Sequence, residues 1–106
     1  IRVWKVHDRF TGGVPDLCLT EPNGKILWAE IKYRPRFPTR CVKPNLSAGQ
    51  LDWLNWHYAN GHPVIVIMGT PLGATVFEAG AWNEAKTAPT KLSYNALTAH
   101  LLDLLT

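Results

Sequence analysis

Gly13-Val14-Pro15-Asp16-Leu17-Cys18-Leu19-Thr20 enters the turn Pro22-Asn23-Gly24 and returns as Ile26-Leu27-Trp28-Ala29-Glu30-Ile31-Lys32-Tyr33. Two apolar runs flank a short turn of residues suited to tight reversals, which predicts an antiparallel β-hairpin with strands over Val14–Thr20 and Ile26–Tyr33. Pro15 is tolerated near the start of the first strand. Alternation places Glu30 and Lys32 on one face of the second strand. Leu27, Ala29 and Ile31 take the other face. The hairpin brings Asp16 alongside Glu30, so two carboxylates and an amine converge at one rim of a sheet.

Upstream, Arg2 to Val6 alternates polar and apolar residues as a further strand, and Asp8 to Gly13 turns the chain. Downstream, Arg34 to Asn45 holds three prolines and four basic residues without periodicity, which reads as a long basic loop. A helix is expected from Ala48 to Asn60. Ser47 is its N-cap, Gln50 completes a capping box, Leu51, Leu54 and Tyr58 form its apolar stripe, and Gly61 stops it. Pro63 to Gly69 reads as a central strand and Ala74 to Ala79 as another, joined by the turn Thr70-Pro71-Leu72-Gly73. Ser93 caps a last helix with Leu97, Leu101 and Leu104 on its buried face. The predicted architecture is one α/β domain, a mixed central β-sheet flanked by helices.

At 106 residues, 46% hydrophobic and 18% charged, the chain suits one globular domain. Its longest apolar run, Val64 to Met68, is far short of a membrane span. The opening Ile1-Arg2-Val3-Trp4-Lys5 lacks a signal-peptide pattern and an initiator Met, which is expected either from further upstream sequence or from processing. Cys18 sits in an apolar strand pattern as a small core residue, and two thiols are no disulfide framework. Four histidines show no zinc-ligand spacing.

The net charge of +3 is uneven. Residues 1–50 carry nine Lys/Arg and four Asp/Glu, whereas residues 51–106 carry two and four. A basic half points to an anionic partner such as nucleic acid.

Glu-x-Lys on a strand is ordinarily a solvated face, and Pro-Asp is ordinary turn chemistry. The joint pattern is more specific, because Glu30 and Lys32 end an apolar strand where charge is costly without a partner or a task. Two carboxylates suit Mg²⁺, which takes one or two from a protein and keeps several waters. Phosphodiester hydrolysis uses such an ion, with a lysine to position water or stabilise charge. The Ile31 carbonyl lies between the two functional side chains as an additional ligand.

These segments, with Ser47-Ala48-Gly49-Gln50 and Gly61-His62-Pro63-Val64, resemble the virus-type replication-repair nuclease branch of the PD-(D/E)XK superfamily, over roughly residues 5–70. The resemblance implies a restriction-endonuclease-like core related to Holliday-junction resolvases and Mg²⁺- or Mn²⁺-dependent DNA cleavage. Asp16 and Glu30 would bind metal, Lys32 would be the catalytic lysine, and Gln50 would face the active site. The capping box explains Gln50 equally well. Many members of that family have a helix before the first strand, often with a further acidic residue near the metal. This chain starts directly with the strand, so that helix is absent, removed or supplied by another part of the protein. Asp8 is a substitute by position, although it fits ordinary loop chemistry better.

Arg34, Arg36, Arg40 and Lys43 follow the active-site strand and are the expected phosphate contacts. Trp53 and Trp56 are available to stack on bases, against a core or dimer-surface reading. The leading expectation is an intracellular, metal-dependent DNA endonuclease acting as a homodimer, selective for a junction or flap. The alternative is a catalytically silent nucleic-acid-binding module of the same fold. A purely structural or interaction domain has only the tryptophans in its favour.

Overall fold

A computed structural model describes residues 1–6, 12–87 and 89–106. Asp8, and with it most of the predicted Asp8–Gly13 turn, lies outside the described residues. A mixed five-stranded sheet runs in the order β1-β2-β3-β5-β6, built from Arg2–Lys5, Leu17–Thr20, Ile26–Tyr33, Val64–Thr70 and Gly73–Phe77. β2 and β3 form the predicted antiparallel hairpin, with Leu17 opposite Ala29 and Cys18 opposite Trp28. β3 and β5 are parallel, with Glu30 beside Val66 and Lys32 beside Met68. The crossover between them is α1, Ala48–Ala59.

The two sheet faces bury separate cores. On one side Leu19, Leu27, Ala29, Ile65, Ile67 and Val76 pack with Leu97 and Leu105 of α2, Tyr94–Leu105. On the other, Val64, Val66, Met68 and Phe77 pack with Leu54 of α1, Val42 and Trp82. β5 contributes to both, which explains why Val64 to Met68 is apolar at every position. Leu54 is fully buried, a change of environment worth about 1.5–3 kcal/mol for such a side chain. The Trp82 indole N–H donates to Asn55 Oδ1 at 2.9 Å, so α1 is pinned by a polar bond as well as by packing.

Several sequence expectations need correction. The second strand begins at Leu17 and not at Val14, because Pro15 supplies no N–H for pairing and is itself buried. The basic stretch 34–45 is not structureless. Its Cys41–Val42 forms β4, paired antiparallel with β7 at Lys86–Thr87. Tyr58 is exposed, so the α1 stripe is Leu51 and Leu54 without it. In α2 the buried end position is Leu105, and Leu104 is exposed. Cys18 and Cys41 are free thiols, the first buried and the second exposed. Among the described residues no helix is long and apolar enough to cross a membrane.

Candidate active site

The site forms where the hairpin rim meets the first turn of α1. Asp16 stands just before β2, and its carbonyl accepts the Val6 N–H at 2.8 Å. Its carboxylate Oδ2 accepts the Ile31 backbone N–H at 3.1 Å, which ties it to the strand carrying Glu30 and Lys32. In a strand the N–H and C=O of one residue face the same neighbour, so the Ile31 carbonyl also faces the Asp16 side. The Ile31 side chain packs on the opposite face with the α2 core, as alternation requires.

Glu30 is 2% exposed, among the largest fully buried side chains of the protein. Its Oε1 accepts a hydrogen bond from Gln50 Nε2 at 3.2 Å, whereas its Oε2 is buried with no partner among the described residues. Burial pushes the Glu30 carboxyl up to about 8, and the closeness of the Asp16 carboxylate adds to the shift. The Lys32 ammonium opposes it only in part. A carboxyl held this way is largely protonated at neutral pH until a cation replaces the proton.

Gln50 links the constellation. Its Oε1 accepts from Lys32 Nζ at 3.0 Å and from the Ser47 N–H at 2.9 Å, using both lone pairs. Ser47 Oγ in turn accepts the Gln50 N–H at 3.2 Å, which completes the capping box. Lysine only donates and an ionised carboxylate only accepts, so the amide has one orientation that satisfies both neighbours. The capping and site-facing readings of Gln50 therefore hold together: one oxygen caps the helix and orients the lysine.

The loop carrying Asp16 is locked to α1 by two glycines. Gly13 has φ +95°, and a Cβ there would lie 2.2 Å from the Gly49 carbonyl oxygen. Backbone meets backbone at this point, which sets Asp16 beside Gln50. The sequence reading missed this contact, although a glycine in the first turn of a helix was its signal, since it costs about 1 kcal/mol relative to alanine.

Among the described residues no group of three or more His, Cys, Asp or Glu gathers. The donor set is instead two carboxylates and a backbone carbonyl, which fits a hard cation that keeps most of its waters. Glu30 Oε2 has no partner among the described residues, and a buried polar oxygen left without one is costly, which favours such an ion.

Arg34, Arg36, Arg40 and Lys43 are all exposed, and among the described residues none forms an ion pair. The Arg34 N–H donates to the Gly69 carbonyl at 2.9 Å, extending the β3–β5 pairing. Buried Val42 and Pro44 anchor the far end of the stretch, so its basic side chains are held on a fixed surface. No family model, curated protein or solved structure matches this chain.

Proposed function

We propose that this chain is a metal-dependent nuclease domain with a restriction-endonuclease-like core, hydrolysing phosphodiester bonds of DNA. The carrying observation is the buried Glu30 carboxyl, orphaned at Oε2 and bonded at Oε1 to the glutamine that also holds Lys32. A purely structural carboxylate in that position would end with both oxygens satisfied.

Asp16, Glu30 and the Ile31 carbonyl would hold Mg²⁺ or Mn²⁺. When bound, that ion supplies charge stabilisation at the phosphate and a lowered pKa for water. Asp16 is fixed by the Ile31 N–H and needs no reorganisation to serve as a ligand. Glu30 would release its proton to hold a cation, so its burial would make the site sensitive to cation and pH together. Lys32 is drawn toward Gln50 and aimed along the rim, where its ammonium stabilises charge developing on a phosphate oxygen. Arg34, Arg36, Arg40 and Lys43 bind neighbouring phosphates and set register without reading sequence.

The test is cleavage of labelled junction, flap, single-strand and duplex DNAs with Mg²⁺, Mn²⁺ or EDTA, by wild type and Lys32→Ala. Metal-dependent cutting by wild type alone is expected. Salt-sensitive binding without cutting under every metal would sink the enzyme and leave a silent binding module. Absence of both cutting and binding would remove nucleic acid from the account.

A further inference from the structure

α1 and the sheet face beneath it carry a run of aromatic rings that starts at the carboxylate site. Gln50, Trp53 and His57 fall at helical spacing i, i+3 and i+7, so the face that brings Gln50 to Glu30 carries two rings onward. That run covers about 10 Å of helix axis. The Trp53 and His57 rings stack with centroids 3.5 Å apart, and His57 Nδ1 lies 2.8 Å from the Trp53 carbonyl. Trp56 stands edge-on to His57 at 4.8 Å and nearly parallel to His62, at 16° and 6.2 Å.

The sheet supplies the floor. Trp4, Cys18 and Trp28 are register partners across β1, β2 and β3, so their side chains share the α1 face. Trp28 is two residues before Glu30 on the same face, and its ring meets Trp53 edge-on at 5.5 Å. Cys18 is buried, whereas Trp4 is 64% and Trp56 57% exposed. Arg2 shares the face of Trp4 by alternation, and Lys32 shares that of Trp28. Cations therefore bracket the rings at both ends, and α1 carries a single carboxylate, Asp52.

Two exposed rings, Trp4 and Trp56, flank the partly buried Trp28, Trp53 and His57 between cations and beside the carboxylate site. We infer that this aromatic face binds single-stranded nucleic acid, whose unpaired bases stack on Trp56, the outer edge of the Trp53–His57 pair and Trp4 while phosphates meet Arg2 and Lys32. A duplex buries its base faces in its own stack and cannot use the rings. The inference deepens the nuclease reading and rests on it for placing the strand at Asp16 and Glu30: the substrate carries a single-stranded segment, as a flap does.

The test measures affinity in EDTA for a labelled oligothymidylate, the same chain with abasic sites, and a duplex hairpin, using wild type, Trp56→Ala and Trp4→Ala. Both rings are exposed, so their removal spares the core. Each variant is expected to bind oligothymidylate roughly tenfold more weakly, the effect of losing one stacked base. Abasic and duplex affinities are expected to stay equal across the three proteins. Unchanged oligothymidylate affinity in both variants overturns the inference, as does an equal loss on the abasic chain. A wild-type dimer that becomes monomeric on Trp56→Ala also overturns it, assigning the face to a second copy. Mg²⁺-dependent cleavage, lost in Lys32→Ala, tests the nuclease reading separately. Cleavage without ring-dependent binding overturns the stacking alone, and ring-dependent binding without cleavage overturns only the enzyme.

Discussion

Gly13 lies so close to Gly49 that a Cβ on it would sit 2.2 Å from the Gly49 carbonyl oxygen and 2.9 Å from the Gln50 nitrogen. Gly13→Ala must therefore displace the Asp16 loop from α1, besides placing alanine at φ +95°. A loss of about 2–4 kcal/mol is expected, from backbone strain and the lost contact. Circular-dichroism melts should show a fall in Tm of roughly 10 °C or more. Gly12→Ala is the control, because a Cβ there meets nothing within 4 Å. Equal Tm values for the two variants would refute the close approach.

Ser47→Ala and Gln50→Ala separate capping from catalysis. Both remove a capping-box member, so both should lower stability by about 1 kcal/mol. Only Gln50→Ala releases Lys32 and removes the donor to Glu30 Oε1. Its cleavage rate should drop about 10–100-fold, as when a group supporting a metal ligand is lost. Ser47→Ala should stay near wild type, and matched losses in the two would reduce Gln50 to a cap.

Stability of the metal-free protein should depend on pH through Glu30. Its carboxyl titrates near 8 in the fold against 4.5 for an unperturbed one, so the folded state binds the extra proton. That contribution is complete below about 4.5 and is lost as pH rises through about 8. Denaturant melts in EDTA should show stability falling over this window, by on the order of 3 kcal/mol. Glu30→Gln mimics the protonated acid, and its stability should be flat across the same range. A wild-type curve as flat as that of the variant would contradict a buried, protonated Glu30.

Cation binding should release protons. Glu30 surrenders close to one at neutral pH, so Mn²⁺ affinity should rise about tenfold per pH unit below 8 and level off above it. Calorimetry in buffers of different ionisation enthalpy reads the proton directly. Asp16→Asn and Glu30→Gln should each abolish the heat. Proton-independent binding, or binding that survives both substitutions, would place the ion elsewhere.

Arg36→Ala and Arg40→Ala should weaken duplex binding without changing sequence preference. Each lost phosphate contact should reduce the slope of log affinity against log salt by about 0.9. Fluorescence anisotropy over a salt series measures it, and unchanged slopes in both variants would exclude the two arginines from the interface.

The hairpin and the faces of its residues were legible because each rests on a local rule. Pro22-Asn23-Gly24 fixed the reversal, and period-two alternation separated Glu30 and Lys32 from Ile31. The capping box likewise placed Gln50 correctly on α1. What stayed hidden depends on distant partners. Cys41–Val42 is too short to show periodicity and is a strand only because Lys86–Thr87 meets it. Leu104 and Leu105 are equally apolar, and only the position of α2 on the sheet decides which is buried. Trp53 and Trp56 could be placed on one helix from sequence, but Trp4 shares the face of Trp28 only through the register of three strands.

The parallel pairing of β3 with β5 also sets an order of assembly. Asp16 and Glu30 belong to one hairpin, whose closure spans few residues and is a microsecond event. Lys32 gains its partner only when α1 docks, and α1 docks only as the chain from Tyr33 to Val64 closes its crossover. Such long-range closure is slow relative to a hairpin. During folding the two carboxylates therefore meet before the glutamine arrives. The acidic pair precedes the contact that orients the lysine, and an incompletely folded chain pairs its carboxylates before Lys32 has its partner.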